Sequence, residues 1–71
     1  MREIAIRGDM IRLGQLLKLA GVAGSGAEAK ELLADGAVRV NGDVEERRGR
    51  QLHPGDTILV AGEELRVTAT A

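Results

Sequence analysis

Ser25-Gly26-Ala27-Glu28-Ala29-Lys30-Glu31-Leu32-Leu33-Ala34-Asp35-Gly36-Ala37-Val38-Arg39-Val40-Asn41-Gly42 carries the most local structural signal in this chain. Ser25 and Glu28 have the S-x-x-E spacing of a capping box, in which each side chain satisfies a free backbone donor of the first turn. Ala29, Leu32 and Leu33 form one apolar stripe, and Gly36 supplies the stop. Together they predict a helix from about Gly26 to Asp35, with Glu28 and Glu31 early enough to suit the helix dipole. Val38 and Val40 then share one strand face and Arg39 takes the other. Asn41-Gly42 is a strong hairpin signal. A two-residue loop would set Val40 opposite Asp43 and put Val44 on the Arg39 face. A three-residue loop over 41–43 would set Val44 opposite Val40. Register follows the buried face, so the three-residue loop with a bulge is the expectation.

Outward from this stretch the pattern continues. Glu3-Ile4-Ala5-Ile6-Arg7 alternates as a half-buried strand. Leu13, Leu16, Leu17 and Ala20 recur at helical spacing and Gly21 stands where a helix C′ residue belongs, predicting a helix over about 13–20. Pro54-Gly55-Asp56 reads as a turn, Thr57-Ile58-Leu59-Val60 as a strand, Gly62-Glu63-Glu64 as a second turn and Leu65-Arg66-Val67-Thr68 as a last strand. The apolar runs at 4–6 and 65–67 can pair and close the sheet.

The chain's 71 residues suit a single domain without repeat or linker. A domain this small buries only about 60% of its unfolded surface, so the core must be compact. Cysteine is absent, which excludes a disulfide framework and a thiolate metal site. Arg2, Glu3, Arg7 and Asp9 leave no room for the apolar segment of a signal peptide, and no run approaches the roughly 20 apolar residues of a membrane span. A cytoplasmic setting is expected. The net charge of −1 does not announce a polyanionic partner. A local basic face can still act alone, because charges are screened beyond about 8 Å. Phe, Tyr and Trp are all missing, which excludes binding modes that stack bases on aromatic rings. RNA recognition would have to use phosphates, 2′-hydroxyls, shape and arginine planes.

Arg47, Arg48 and Arg50 flank Gly49, which lets the backbone turn and fan the side chains apart. Guanidinium forks match phosphate oxygens. The alternative is a solvated loop whose arginines pair with Glu45 and Glu46. At the start of the second helix, the N–H groups of Ser25, Gly26 and Ala27 could meet a phosphate, with Lys30 one turn on. The alternative there is a plain helix cap. Arg39 projects from the outer strand face and Lys18 from between the core positions of the first helix, as ordinary surface cations do. His53 has no companion ligands. Glu45-Glu46 and Glu63-Glu64 point apart in a strand and make no acid–base pair. No Ser-His-Asp order, phosphate-binding loop or metal-ligand spacing is present, so neither an enzyme nor a metal or other cofactor is expected.

Several runs in this order resemble a known family. They are Leu13 with Leu16-Leu17-Lys18-Leu19, Ser25-Gly26 with Ala29-Lys30 and Leu33, and Gly36-Ala37-Val38-Arg39-Val40-Asn41-Gly42. Arg47-Arg48-Gly49-Arg50 with Leu52, and Gly55-Asp56-Thr57-Ile58, complete the set. The likeness is to the S-four RNA-binding domain, also called the alpha-L motif, and within it to small stand-alone bacterial members. It covers about residues 11–60. It implies an α+β fold: two short antiparallel helices packed on a small, twisted, mostly antiparallel sheet. It also implies a non-catalytic protein that binds structured RNA, above all ribosomal RNA, by its backbone; a monomer is expected. Ribosomal proteins are further candidate partners and no membrane is involved. Carried across, the contact candidates are Lys18, Ser25, Gly26, Lys30, Arg39, Asn41, Arg47, Arg48 and Arg50. The wider family often has an acidic residue where Gly14 stands and an arginine where Gly26 stands, whereas the stand-alone members share that second glycine.

Two other functions fit parts of the pattern. A protein-docking adaptor would use the same basic tract on an acidic surface. A β-grasp sulfur carrier would need a C-terminal Gly-Gly, where this sequence has Ala69-Thr70-Ala71. For RNA binding, changing Arg47, Arg48 and Arg50 together to glutamate is expected to abolish the interaction without unfolding the domain.

Overall fold

The computed structural model describes residues 1–70; Ala71, the last residue of the expected single domain, lies outside the described residues. Strand β1 (Arg2–Ile6) is followed by the short β2 (Ile11–Arg12), helices α1 (Leu13–Leu19) and α2 (Gly26–Ala34), the hairpin β3 (Val38–Val40) and β4 (Asp43–Val44), and a second short strand, β5 (Gln51–Leu52). Strands β6 (Thr57–Val60) and β7 (Glu63–Ala69) complete the chain. The main sheet has the order β1-β7-β6-β3-β4, while β2 and β5 pair separately. Every neighbouring pair is antiparallel except β1 and β7. The expected closure of the sheet is present as that parallel pair, with Ile4 opposite Val67.

Both helices form where their caps predict. The Ser25 hydroxyl accepts from Glu28 N–H at 3.2 Å, and the Glu28 carboxylate accepts from Gly24 N–H at 2.7 Å, one residue before the usual capping-box partner. Each helix ends on a left-handed glycine, Gly21 (φ 75°) and Gly36 (φ 71°). The last carbonyls are satisfied by the paired bonds of a Schellman motif, from Gly21 and Val22 to Lys18 and Leu17, and from Gly36 and Ala37 to Leu33 and Leu32.

The core is aliphatic throughout. Leu13, Leu16, Leu17, Ala29 and Leu33 of the helices meet Val38, Val40, Ile58, Val60, Leu65 and Val67 of the sheet, and Leu52 of β5 joins them. The alternation in β3 puts Arg39 on the face away from this core.

Two turns depart from the sequence reading. The first hairpin has a two-residue loop: Val40 pairs with Asp43 and Arg39 with Val44. Asn41 and Gly42 both take positive φ (50° and 91°), the backbone of a type I′ turn, which matches the twist of the flanking strands. Val44 therefore sits on the outer face, 48% exposed. The β4 edge strand is only two residues long, so turn geometry rather than burial of Val44 sets the register. The second turn is Ala61-Gly62, also at positive φ (54° and 73°), so β7 begins at Glu63 and Val60 pairs with it.

Candidate nucleic-acid interface

Helix α1 has no side-chain cap at Arg12. Its first donors are satisfied by the arginine loop instead: Leu13 N–H donates to the Arg50 carbonyl at 2.9 Å and Gly14 N–H to the Arg48 carbonyl at 3.0 Å. The β2–β5 pair, Ile11 with Leu52 and Arg12 with Gln51, fastens the same loop from the other side. Residues far apart in sequence are thereby locked together, and the Arg48 side chain lies along α1. A Cβ at Gly14 would come within 2.6 Å of Arg48 Cγ, so glycine leaves the space through which that arginine runs.

The result is a cleft of about 620 Å³ between α1, the start of α2 and the loop. Arg12, Lys18 and Arg48 supply its charge, Gln15 a neutral polar group, and Gly26 and Gly49 a low backbone wall. Among the described residues no acidic one lines it, although the whole chain carries a net −1. None of the three cations belongs to an ion pair among the described residues. Gly26 lines the cleft at the first turn of α2, where its N–H has no acceptor within the helix. A chain of phosphates can dock against such a wall without meeting a repelling carboxylate.

Of the residues singled out from the sequence, Lys18, Gly26 and Arg48 come together here. Ser25 and Lys30 are exposed beside the cleft, and the Ser25 hydroxyl is already engaged as the α2 cap. Arg39 stands on the opposite face of the sheet, where its guanidinium donates to the Gly42 carbonyl at 3.2 Å. Asn41 is occupied within the fold: its amide donates to Asp56 at 3.1 Å, and its carbonyl oxygen accepts from Thr57 N–H at 3.0 Å. Burial pushes the Asp56 carboxyl up, but His53 N–H and the Asn41 amide outweigh it and hold the group below its ordinary value.

Arg47 and Arg50 are not free cations. Glu45, 7% exposed, is the buried charged residue of the described chain, and both arginines close on it. Arg47 is bidentate, with Nε and Nη2 each 3.1 Å from the carboxylate, and Arg50 Nη1 lies at 2.8 Å. The Arg47 backbone N–H adds a fourth bond at 3.1 Å. The sequence alternative of glutamate-paired arginines thus holds for these two, through Glu45. The expectation that the arginine triple could be reversed without unfolding needs correcting, because it would set two new carboxylates against a buried one.

The Arg47 side chain first, then Arg50, holds the Glu45 carboxyl down to about 2 from 4.5, against the burial that would raise it. Between these values the unfolded chain binds a proton that the folded chain does not. This contribution is complete above about pH 5 and is lost as pH falls through the unfolded value toward about 2. Urea midpoints measured across that range should fall for wild type and fall less for Glu45→Gln. Parallel profiles would contradict the ion-pair account.

Arg12 and Gln15 escaped the sequence reading. The signal was available: Arg12, Gln15 and Lys18 recur every three residues, on the side of α1 away from Leu13, Leu16 and Leu17.

Comparison with known proteins identifies the family and the fold. Residues 4–68 match the family described as the S4 domain. A Bacillus subtilis (strain 168) protein named for ribosome maturation, RlbA, is 48% identical over 59 residues, 83% of each chain. YbcJ of Escherichia coli K12, named as an RNA-binding protein, is 42% identical over 59 residues, 83% of this chain and 84% of YbcJ. The solution structure of E. coli YbcJ, described as having an alpha-L motif involved in RNA binding, superposes with a TM-score of 0.73 at 37% identity, covering 97% of this chain and 89% of that one. Ribosomal protein S4e of Thermoplasma acidophilum superposes with a TM-score of 0.63 at 25% identity, over 83% of this chain and 31% of S4e. With two helices packed on a mostly antiparallel sheet and a family match over nearly its whole length, the chain belongs to the S4 domain family.

Proposed function

We propose that this chain is a non-catalytic RNA-binding protein that holds structured RNA, ribosomal RNA foremost, by its phosphate backbone. The observation that carries this reading is the cleft lined by three unpaired cations and no acid in a chain of net −1. The names of the RlbA and YbcJ relatives support it. Arg12, Lys18 and Arg48 each meet a phosphate, and Gln15 and the Gly26 N–H add uncharged donors. Lys30 extends the positive wall outside the cleft. Ser25 fixes the start of α2, and Asn41 fixes the hairpin to the turn before β6. Arg39 lies on the far face and is left out of the contact. The whole of 1–71 acts as one domain, as a monomer, in the cytoplasm.

Phosphate contacts carry no base information, so the protein selects RNA by shape. Three such charged contacts, or four with Lys30, give a slope of roughly −2 to −3.5 in log K against log salt. Fluorescence anisotropy with a labelled ribosomal RNA stem-loop across a salt series measures it. A slope near zero would refute backbone binding. Ribosome co-sedimentation after nuclease treatment separates the partners: pelleting should be lost, and its survival would favour docking on protein.

A further inference from the structure

Gly49 lines a second groove as well as the cleft. This second space, about 580 Å³, is bounded by Arg47, Gly49, Arg50, Gln51 and His53, again with no acidic residue among the described ones in its lining. The arginine loop is therefore a ridge with a basic hollow on each side. Arg48 serves one side, and Arg47 and Arg50 serve the other. These last two are the arginines that Glu45 grips.

We propose that Glu45 is a positioning residue, which holds the guanidinium forks of Arg47 and Arg50 ready for a second stretch of RNA backbone in this groove. The inference rests on the RNA-binding reading and extends it: the ligand is structured RNA that brings phosphates to both sides of the Gly49 ridge at once.

The arrangement separates carboxylate from cations by depth. The Glu45 side chain is only 9% exposed, while Arg50 is 36% and Arg47 74% exposed. One arginine would neutralise one carboxylate, so Glu45 and its two arginines together carry a net +1; Asp56, whose carboxylate lies 4.0 Å from His53 Nδ1, is the acid beside that groove. Donors remain as well. A guanidinium has five, of which Arg47 uses two on Glu45 and Arg50 one. A carboxylate that anchors one edge of a guanidinium leaves another edge for phosphate. Free arginines lose rotamer freedom on binding, whereas these two are ordered beforehand, and that difference is worth about three- to tenfold in affinity.

The sign of one substitution separates this role from charge alone. Glu45→Gln keeps the shape and makes the chain more positive by one charge. Long-range electrostatics would tighten RNA binding, whereas loss of positioning weakens it. With the fluorescein-labelled ribosomal RNA stem-loop at pH 7, the expected result is about three- to tenfold weaker binding, with the salt slope shallower by about one contact. The Arg47 Nε–H resonance, held by Glu45 in wild type, should also lose its protection from exchange. Should Glu45→Gln fail to fold, Arg47→Lys keeps the charge at an exposed site but removes the fork, and the same weakening is expected. Binding as tight as or tighter than wild type, in whichever variant folds, overturns the inference. A wild-type chain that does not bind the stem-loop overturns both this inference and the RNA reading. A Lys18→Glu variant that loses affinity while Glu45→Gln does not leaves the cleft standing and removes only the second groove.

Discussion

Reversing the three cleft cations together, in Arg12→Glu/Lys18→Glu/Arg48→Glu, is expected to abolish measurable RNA binding while the domain stays folded. All three side chains are exposed and none holds a partner among the described residues, so the fold loses no ion pair. Arg48 contributes its backbone carbonyl, which caps Gly14 and survives substitution, and a side-chain stem over Gly14 whose Cβ and Cγ a glutamate keeps. At about 1 kcal/mol for each exposed charge contact, the loss is about 3 kcal/mol, or on the order of 10²-fold, before repulsion from the new carboxylates is counted. Anisotropy at low salt and a thermal melt on the same sample test both halves. Retained binding by the folded variant would place the RNA elsewhere.

Leu52→Ala is expected to damage the fold heavily and to reach the site as well. Leu52 is fully buried and belongs to β5, whose pairing with β2 secures the arginine loop. Truncating a buried leucine costs about 2–5 kcal/mol. A domain of this length has only about 4–11 kcal/mol in total, so the melting temperature should fall by more than about 10 °C. Leu59→Ala, at a position 45% exposed on the outer sheet face, is the control and should change stability little. Because Leu13 and Gly14 take their caps from the loop, loosening β5 should also weaken RNA binding by the molecules that remain folded. A Leu52→Ala protein with a near wild-type melt would show that the β2–β5 pair is dispensable.

What could be read from the sequence was local chemistry. The Ser25–Glu28 cap, the glycines at 21 and 36 and the alternation at 38–40 each act within a few residues, and the elements stand where they point. The hairpin register was misjudged because it was assigned to burial, whereas Val44 lies on an edge strand that no helix covers. Ala61 gave no warning, since alanine at positive φ is a cost accepted for the β6–β7 pairing and leaves no mark in composition. The site was half legible. The arginine tract stood out by type, whereas Lys18 read as an ordinary surface cation and became a candidate only through the family resemblance. That Arg48 would turn toward Arg12 while Arg47 and Arg50 turned to Glu45 depends on the β2–β5 ladder and on the burial of one carboxylate. Both are long-range outcomes without a periodic signal.

The central claim is that the cleft between α1, the start of α2 and the arginine loop receives RNA phosphates. The most direct test is an NMR titration of the isotope-labelled protein with a ribosomal RNA stem-loop. The account predicts the largest shifts at Arg12, Gln15, Lys18, Gly26, Arg48 and Gly49, with Arg39 and the outer sheet face unmoved. Shifts concentrated around Arg39, Val44 and Leu59, with the cleft residues silent, would contradict it.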